Sequence, residues 1–425
     1  MNNNDLYLIS DSCAGFITIP WVMTVPTLST YIGRKIPYII SGCSMLVVFG
    51  ILYFSITPYH ILISEALQGF THACNITITV LIVSEYVEPK YRGIFLTIKS
   101  ASFFWGIWAA NAIGTFFHWR YIAVTGVLCA VYSLSGAFHP ESPHWLASKG
   151  KFVEARAAFR WMHGRNERTE KELDAIIESQ ASEDRNVKWN WDAFVTTCRC
   201  RQFYLPLSLA LLMAFQYHFS GKLVCSVYAV DMIQRMTEDE ATAYRGMLIL
   251  DGVTVLGMFT GSFVSKIVKR RTLYMIASFI GVLFLFILAA YLYLVKLGII
   301  ADNNTVAVIL LTVYSVSISC GPMIMSMTVT GEIIPMKYQA ACYSIQATLF
   351  SIIFTLLLKF APLLFNRLGM DGSFLFYGLT SGLSLAVLYF YLPETKDKTL
   401  LEIEEYFKDK KDKNESLDSE ENTVF

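Results

Sequence analysis

Apolar runs long enough to cross a bilayer dominate this chain. A membrane-spanning helix needs about 20 mostly apolar residues. Segments of that kind recur near 10–32, 37–56, 61–84, 94–115, 120–138, 203–229, 247–268, 272–296, 305–328, 340–365 and 373–392, eleven in all. Lipid offers the backbone no hydrogen bonds, so runs of this length are predicted to be helices. Composition agrees. Of 425 residues 54% are hydrophobic and 16% charged, where a soluble chain carries about 25% charge; the mean hydropathy is +0.47. One soluble core cannot bury that much apolar surface. The balance argues against a cytosolic enzyme and a disordered chain. With 34 Lys+Arg against 34 Asp+Glu there is no net charge to hold a nucleic acid.

Two stretches interrupt the pattern. Residues 140–202 are charged, with Lys171-Glu172-Leu173-Asp174 and Glu178 at helical spacing, and are predicted to form a soluble helical insert. Residues 398–425 are a charged tail, expected to be disordered beyond Phe407. The predicted layout is therefore an N-terminal half (1–139, five helices), the insert (140–202), a C-terminal half (203–397, six helices) and the tail (398–425). Arg34-Lys35, Lys90 with Arg92, and Lys266 with Lys269-Arg270-Arg271 follow alternate spans; Arg120, Lys296 and Arg367 are exceptions on the other side. The positive-inside rule places the basic loops, insert and C-terminus in the cytoplasm. The start, Met1-Asn2-Asn3-Asn4-Asp5, lacks a basic region, so the first apolar segment would act as the membrane entry signal. Eleven spans would leave Met1 outside: either the topology is unusual or an amino-terminal helix is missing.

The halves echo each other. Ser84–Gly93 resembles Gly331–Ala340, with Glu85 opposite Glu332 and Lys90-Tyr91 opposite Lys337-Tyr338. Gly33-Arg34-Lys35 matches Lys269-Arg270-Arg271, and Pro140-Glu141-Ser142-Pro143 matches Pro393-Glu394-Thr395-Lys396. The pairs keep their order at separations of about 240–250 residues, which indicates a duplicated multi-helix half. The first half has five spans and the second six, so the first helix is the one expected to be missing.

These motifs carry a resemblance. With Glu85-x-x-Glu88-Pro89-x-x-Arg92-Gly93, Trp119-Arg120, Phe219-Ser220-Gly221, Gly321-Pro322 and Gly331-Glu332-Ile333-x-Pro335, the chain resembles the sugar porter family of the major facilitator superfamily, and within it the insect facilitated trehalose transporters. The resemblance covers all but the tail. It implies an all-α membrane protein of the major facilitator fold that moves a sugar, trehalose or hexose in class, by alternating access. It also implies that Arg34, Glu85, Arg92, Glu141, Arg270, Arg271, Glu332 and Glu394 form a cytoplasmic network of ion pairs that locks the halves together. The other reading of these residues is solvated charge at helix ends.

The pattern departs from the family at both features. Pro26, Thr30 and Tyr31 stand where the motif before Gly33 has Gly, Asp and Arg; Gln339-Ala340 replaces Arg-Gly, and His144 an Arg. The seventh-helix motif Q-Q-x-S-G-x-N reads Tyr217-His218-Phe219-Ser220-Gly221-Lys222-Leu223. Ser100 aligns with a fifth-helix Gln, and Met323-Ile324-Met325 replaces a tenth-helix Trp segment. A polyol out of water needs several paired donors and acceptors. The candidate solute contacts are Ser100, Trp105, Asn111, Tyr217, His218, Ser220, Lys222, Tyr228 and Tyr314. Lys222 lies one turn from His218, and a charge inside a span marks function by default. Asp251 would be its partner or would sit near the membrane surface. The aromatics also fit plain packing or lipid contact.

Other chemistry is not indicated. The cysteines are scattered, without a C-x-x-C pair, and read as small buried hydrophobes; no metal or cofactor is implied. Ser220-Gly221-Lys222 lacks the upstream glycine of a phosphate loop, and no catalytic motif is present, so no enzyme is expected. Asn303-Asn304-Thr305 is a glycosylation sequon on a loop expected outside. With no titratable pair placed for proton coupling, facilitated uniport at the plasma membrane is expected, with lipid and a small solute as partners. Two other readings stay open: a transporter of another organic solute or ion, and a transport-inactive sensor or truncated product.

Overall fold

The computed structural model describes residues 3–87, 89–166, 169–171, 173, 174, 177, 199–237, 239–334, 339–396, 398, 403, 406 and 407, with side chains left aside at 3–16, 89–93, 237, 240, 339 and 340. The Arg92 side chain, Lys337, Tyr338, most of the insert beyond 174 and the tail beyond Phe407 thus lie outside what is described.

The described residues are helical almost throughout. In order they form α1 (Asn3–Ile32), α2 (Lys35–Tyr53), α3 (Pro58–Ile76), α4 (Ile78–Tyr86), α5 (Pro89–Phe116), α6 (Arg120–Leu134), α7 (Pro143–Ser148) and α8 (Phe152–His163). Then follow α9 (Arg201–Phe219), α10 (Lys222–Val227), α11 (Ala229–Thr237), α12 (Glu240–Ile267), α13 (Arg270–Lys296), α14 (Asn304–Cys320), α15 (Pro322–Ile333) and α16 (Gln339–Tyr391). Among the described residues, seven stretches are long and apolar enough to cross a membrane: 35–53, 58–86, 120–138, 241–267, 270–296, 304–333 and 341–391. The last holds two helices, because Gly369 breaks α16 with φ 73°. The remaining expected spans fall on α1, on α5 and on the run α9–α11.

The breaks follow from local chemistry. Thr57 caps α3, with Pro58 in its first turn and His60 Nδ1 accepting from Ile56 N at 3.3 Å. Gly321-Pro322 separates α14 from α15, since proline has no N–H to continue the helix. Between α9 and α10, Gly221 adopts φ +78°, which a residue with a Cβ avoids.

Two compact units are present. The first comprises 1–96, 113–189 and 343–359. In it Val22 packs on Ala73 and Ala347, and Val25 on Cys74 and Ile78. The insert adds α7 and α8, where Arg160 clasps Glu170 at 2.7 and 2.9 Å.

The second comprises 97–112, 190–342 and 360–425. Its helices approach through small residues, as membrane helices do when lipid removes the hydrophobic drive between them. A Cβ on Gly261 of α12 would lie 2.0 Å from the carbonyl oxygen of Cys320, and one on Gly321 would lie 2.3 Å from Cβ of Ala277. Outward positions carry large apolar groups, Leu256 (66% exposed) and Leu383 (72% exposed) among them, as suits contact with acyl chains.

Candidate solute site and ion pairs

All the solute contacts expected from the sequence lie in the second unit. They centre on the break at Ser220–Gly221. Once α9 ends at Phe219, the chain turns through Gly221 and restarts at Lys222. A Cβ at Gly221 would meet the Tyr377 ring at 2.7 Å, so only glycine lets the turn close against that ring. The Tyr314 hydroxyl donates to the Ser220 carbonyl, giving a partner to a backbone oxygen freed by the break.

Buried polar groups gather here. Lys222 is 0% exposed, and its Nζ has no hydrogen-bond partner among the described residues. Asp251, on α12, is 3% exposed. Its Oδ1 accepts from Ser226 Oγ at 2.8 Å and its Oδ2 from Asn111 Nδ2 at 2.8 Å. Asp251 is thus held by two neutral donors, while its charge also reaches Lys222. Trp108 donates through Nε1 to the Leu248 carbonyl at 3.2 Å, fixing α5 residues beside α12. Tyr217 and His218 are buried side by side, with ring centroids 5.2 Å apart.

The remaining candidates stand apart. Trp105 is 54% exposed and tilts on Trp108 at 5.3 Å. Tyr228 packs edge-on against Phe365 at 6.2 Å. Ser100 is half-buried on α5.

Gln216 was missed from the sequence. Both family glutamines are replaced, yet this one, one position upstream, is buried and accepts the Tyr274 hydroxyl on Oε1; its Nε2 has no partner among the described residues. A lone glutamine inside an apolar run was the available signal. Ser226 was invisible, because its role depends on Asp251, 25 residues away.

The charged motifs resolve into two matching clusters. In the first unit Arg34 Nε and Nη2 bind Glu85 at 3.0–3.2 Å, both side chains mostly buried. Glu141 accepts from the backbone N–H of Arg34 at 3.0 Å and Lys35 at 3.2 Å, capping α2. In the second unit Arg270 pairs with Glu332. Glu394 accepts from the backbone N–H of Arg270 at 3.1 Å and Arg271 at 3.2 Å, capping α13. Each cluster lies inside its own unit. In each, one acid binds a guanidinium and the other a helix N-terminus, where the dipole favours negative charge. Asn303 is exposed and caps α14, accepting from Thr305 N at 3.0 Å.

Comparison with known proteins follows the same lines. The family model described as "Sugar (and other) transporter" matches residues 11–407. The facilitated trehalose transporter Tret1 of Drosophila virilis is 27% identical over 382 residues, which cover 88% of this chain and 41% of that protein. Trehalose transporter 1 of Drosophila melanogaster is 27% identical over 385 residues, covering 89% and 44%. The chain therefore spans less than half the length of these relatives. Among solved structures, the major facilitator proton:xylose symporter XylE bound to 6-bromo-6-deoxy-D-glucose superposes with a TM-score of 0.77 at 17% identity, over 95% of this chain and 90% of that one. At that identity the likeness speaks for the fold alone: this is an integral membrane protein of the major facilitator fold.

Proposed function

The chain belongs to the sugar (and other) transporter family, and from that premise we propose that it carries a sugar, trehalose or hexose in class, across the membrane. The mechanism is alternating access without catalysis: a solute site faces each side of the membrane in turn. The observation that carries this reading is the broken helix at Ser220–Gly221 with Ser226, Lys222 and Asp251 buried beside it and the half-buried Asn111 bonded to Asp251. Broken helices whose polar groups point inward are how membrane transporters build a solute site at mid-depth. The names of the Drosophila relatives support the substrate class.

The transporter works as a facilitated uniporter of the plasma membrane. The basic loops after α1 and α12 favour a cytoplasmic insert at 140–202 and a cytoplasmic C-terminus. That orientation puts the Asn303 sequon outside, where it is glycosylated. The Arg34–Glu85 and Arg270–Glu332 clusters act at the cytoplasmic gate.

The test is radiolabelled uptake in oocytes with trehalose and with glucose, comparing the chain with Asn111→Ala at matched surface expression. A hydrogen bond to a charged group is worth about 1.5–3 kcal/mol, so uptake of the transported sugar is expected to be saturable and to fall roughly tenfold or more in the variant. No uptake of either sugar by protein present at the surface sinks this reading.

A further inference from the structure

We propose that the site at the Ser220–Gly221 break takes a sugar acid, with Lys222 as the cation that meets its carboxylate. This rests on the sugar-transport reading and narrows it. The buried polar groups of the site are unevenly matched. An ammonium has three donors and no acceptor, and Lys222 Nζ, fully buried, meets no acceptor among the described residues. The amide Nε2 of Gln216, on the preceding helix α9, is a second buried donor without a partner among the described residues. The acid whose charge reaches Lys222 is already engaged on both oxygens, by Ser226 and by Asn111. The site is therefore short of acceptors and of negative charge in contact with Lys222.

A neutral sugar does not correct that imbalance. Each hydroxyl brings a donor along with its acceptor, so every pairing it completes creates a new demand. A carboxylate brings acceptors only, and its bond to an ammonium is charge-assisted. Placement fits as well. Lys222 is the first residue after the left-handed glycine, where the span is interrupted, and a buried charge inside a span is retained for what it binds.

The experiment measures oocyte uptake of radiolabelled glucuronate and radiolabelled glucose by the full chain, by Lys222→Gln and by Lys222→Arg, at matched surface expression. The expected result is saturable glucuronate uptake, with the glucuronate-to-glucose ratio falling at least tenfold in Lys222→Gln and largely kept in Lys222→Arg. An unchanged ratio in Lys222→Gln overturns the inference. Glucose uptake without glucuronate uptake or competition also overturns it and leaves the sugar-transport reading standing. If Lys222→Gln does not reach the surface, competition in the unmodified chain decides: excess glucuronate must suppress glucose uptake more strongly than equal xylose does. If neither solute is transported, the transport reading falls, and calorimetry on the detergent-purified chain decides the inference alone. Glucuronate binding that exceeds glucose binding supports it; equal or absent binding overturns it.

Discussion

Glu141 shows how a residue identified by motif can do work that the motif does not spell out. The motif suggested an ion-pair partner, but in the structure the carboxylate caps α2 through the N–H groups of Arg34 and Lys35. Charge-assisted bonds of this kind contribute about 1.5–3 kcal/mol. Glu141→Ala is expected to lower the unfolding temperature of detergent-purified protein, followed by tryptophan fluorescence, more than Glu141→Gln does, since glutamine keeps one acceptor. Equal shifts would mean that the cap contributes nothing. Gly33 belongs to the same cluster: its φ is +95°, and a Cβ there would lie 2.2 Å from Glu141 Oε2. The insert offers a pH-dependent counterpart. The Arg160 guanidinium bonded to Glu170 holds that carboxyl below the usual carboxylate range. A carboxyl depressed in the folded state stabilises above its unfolded value, about 4.3, and that contribution is lost as pH falls through the lower folded value. Hydrogen exchange of α8, corrected for intrinsic rate, should show protection steady from pH 7 to 5 and declining below about 4. Glu170→Gln should remove the decline. Because both side chains are about a third exposed, the effect is small and shrinks in high salt.

At the scale of elements, the second unit depends on glycines that let helices touch. Gly257 and Gly261 form one small-residue stripe on α12, against Ser319, Val316 and Cys320. Gly261→Ala forces a methyl group against a backbone carbonyl, and overpacking of that kind costs about 1–3 kcal/mol. Gly50 on α2 has nothing within 4 Å of its added Cβ. There, Gly→Ala gains helix propensity of about 1 kcal/mol without a clash. Thermal unfolding of the two variants should therefore move in opposite directions. If Gly261→Ala is neutral or moves up with Gly50→Ala, close approach of α12 and α14 is not what Gly261 provides. A sequence shows both glycines inside apolar spans and has no way to tell them apart, because the difference is the identity of the opposing helix.

At the scale of the molecule, the duplication seen in the motifs extends to interactions. Arg34 with Glu85 and a helix capped by Glu141 is repeated as Arg270 with Glu332 and a helix capped by Glu394. If the paired charges gate transport, reversing one should reduce uptake at matched surface expression by at least tenfold, and reversing both should recover much of it. The test is Arg34→Glu and Glu85→Arg, singly and together, with Arg270 and Glu332 as the parallel pair. A double reversal no better than the singles would separate these charges from gating and leave them a purely structural role.

What the sequence determined by itself is the membrane, the helical class, the doubled architecture and the family. All four rest on features carried along the chain: run length, hydropathy, ordered motifs and their spacing. The breaks at Ser220-Gly221 and Gly321-Pro322 fall inside the apolar runs 203–229 and 305–328, which hydropathy reads as continuous, so the structure and not the sequence located them. Tertiary structure alone decided which polar groups meet. Asn111 and Asp251 are 140 residues apart, and so is the Trp108 bond to Leu248. The engagement of Asp251 by neutral donors, and with it the unmatched ammonium of Lys222, exists only once α5, α10 and α12 pack together. Hydrogen bonding and close helix contact act over a few ångströms in space, whatever the separation along the chain.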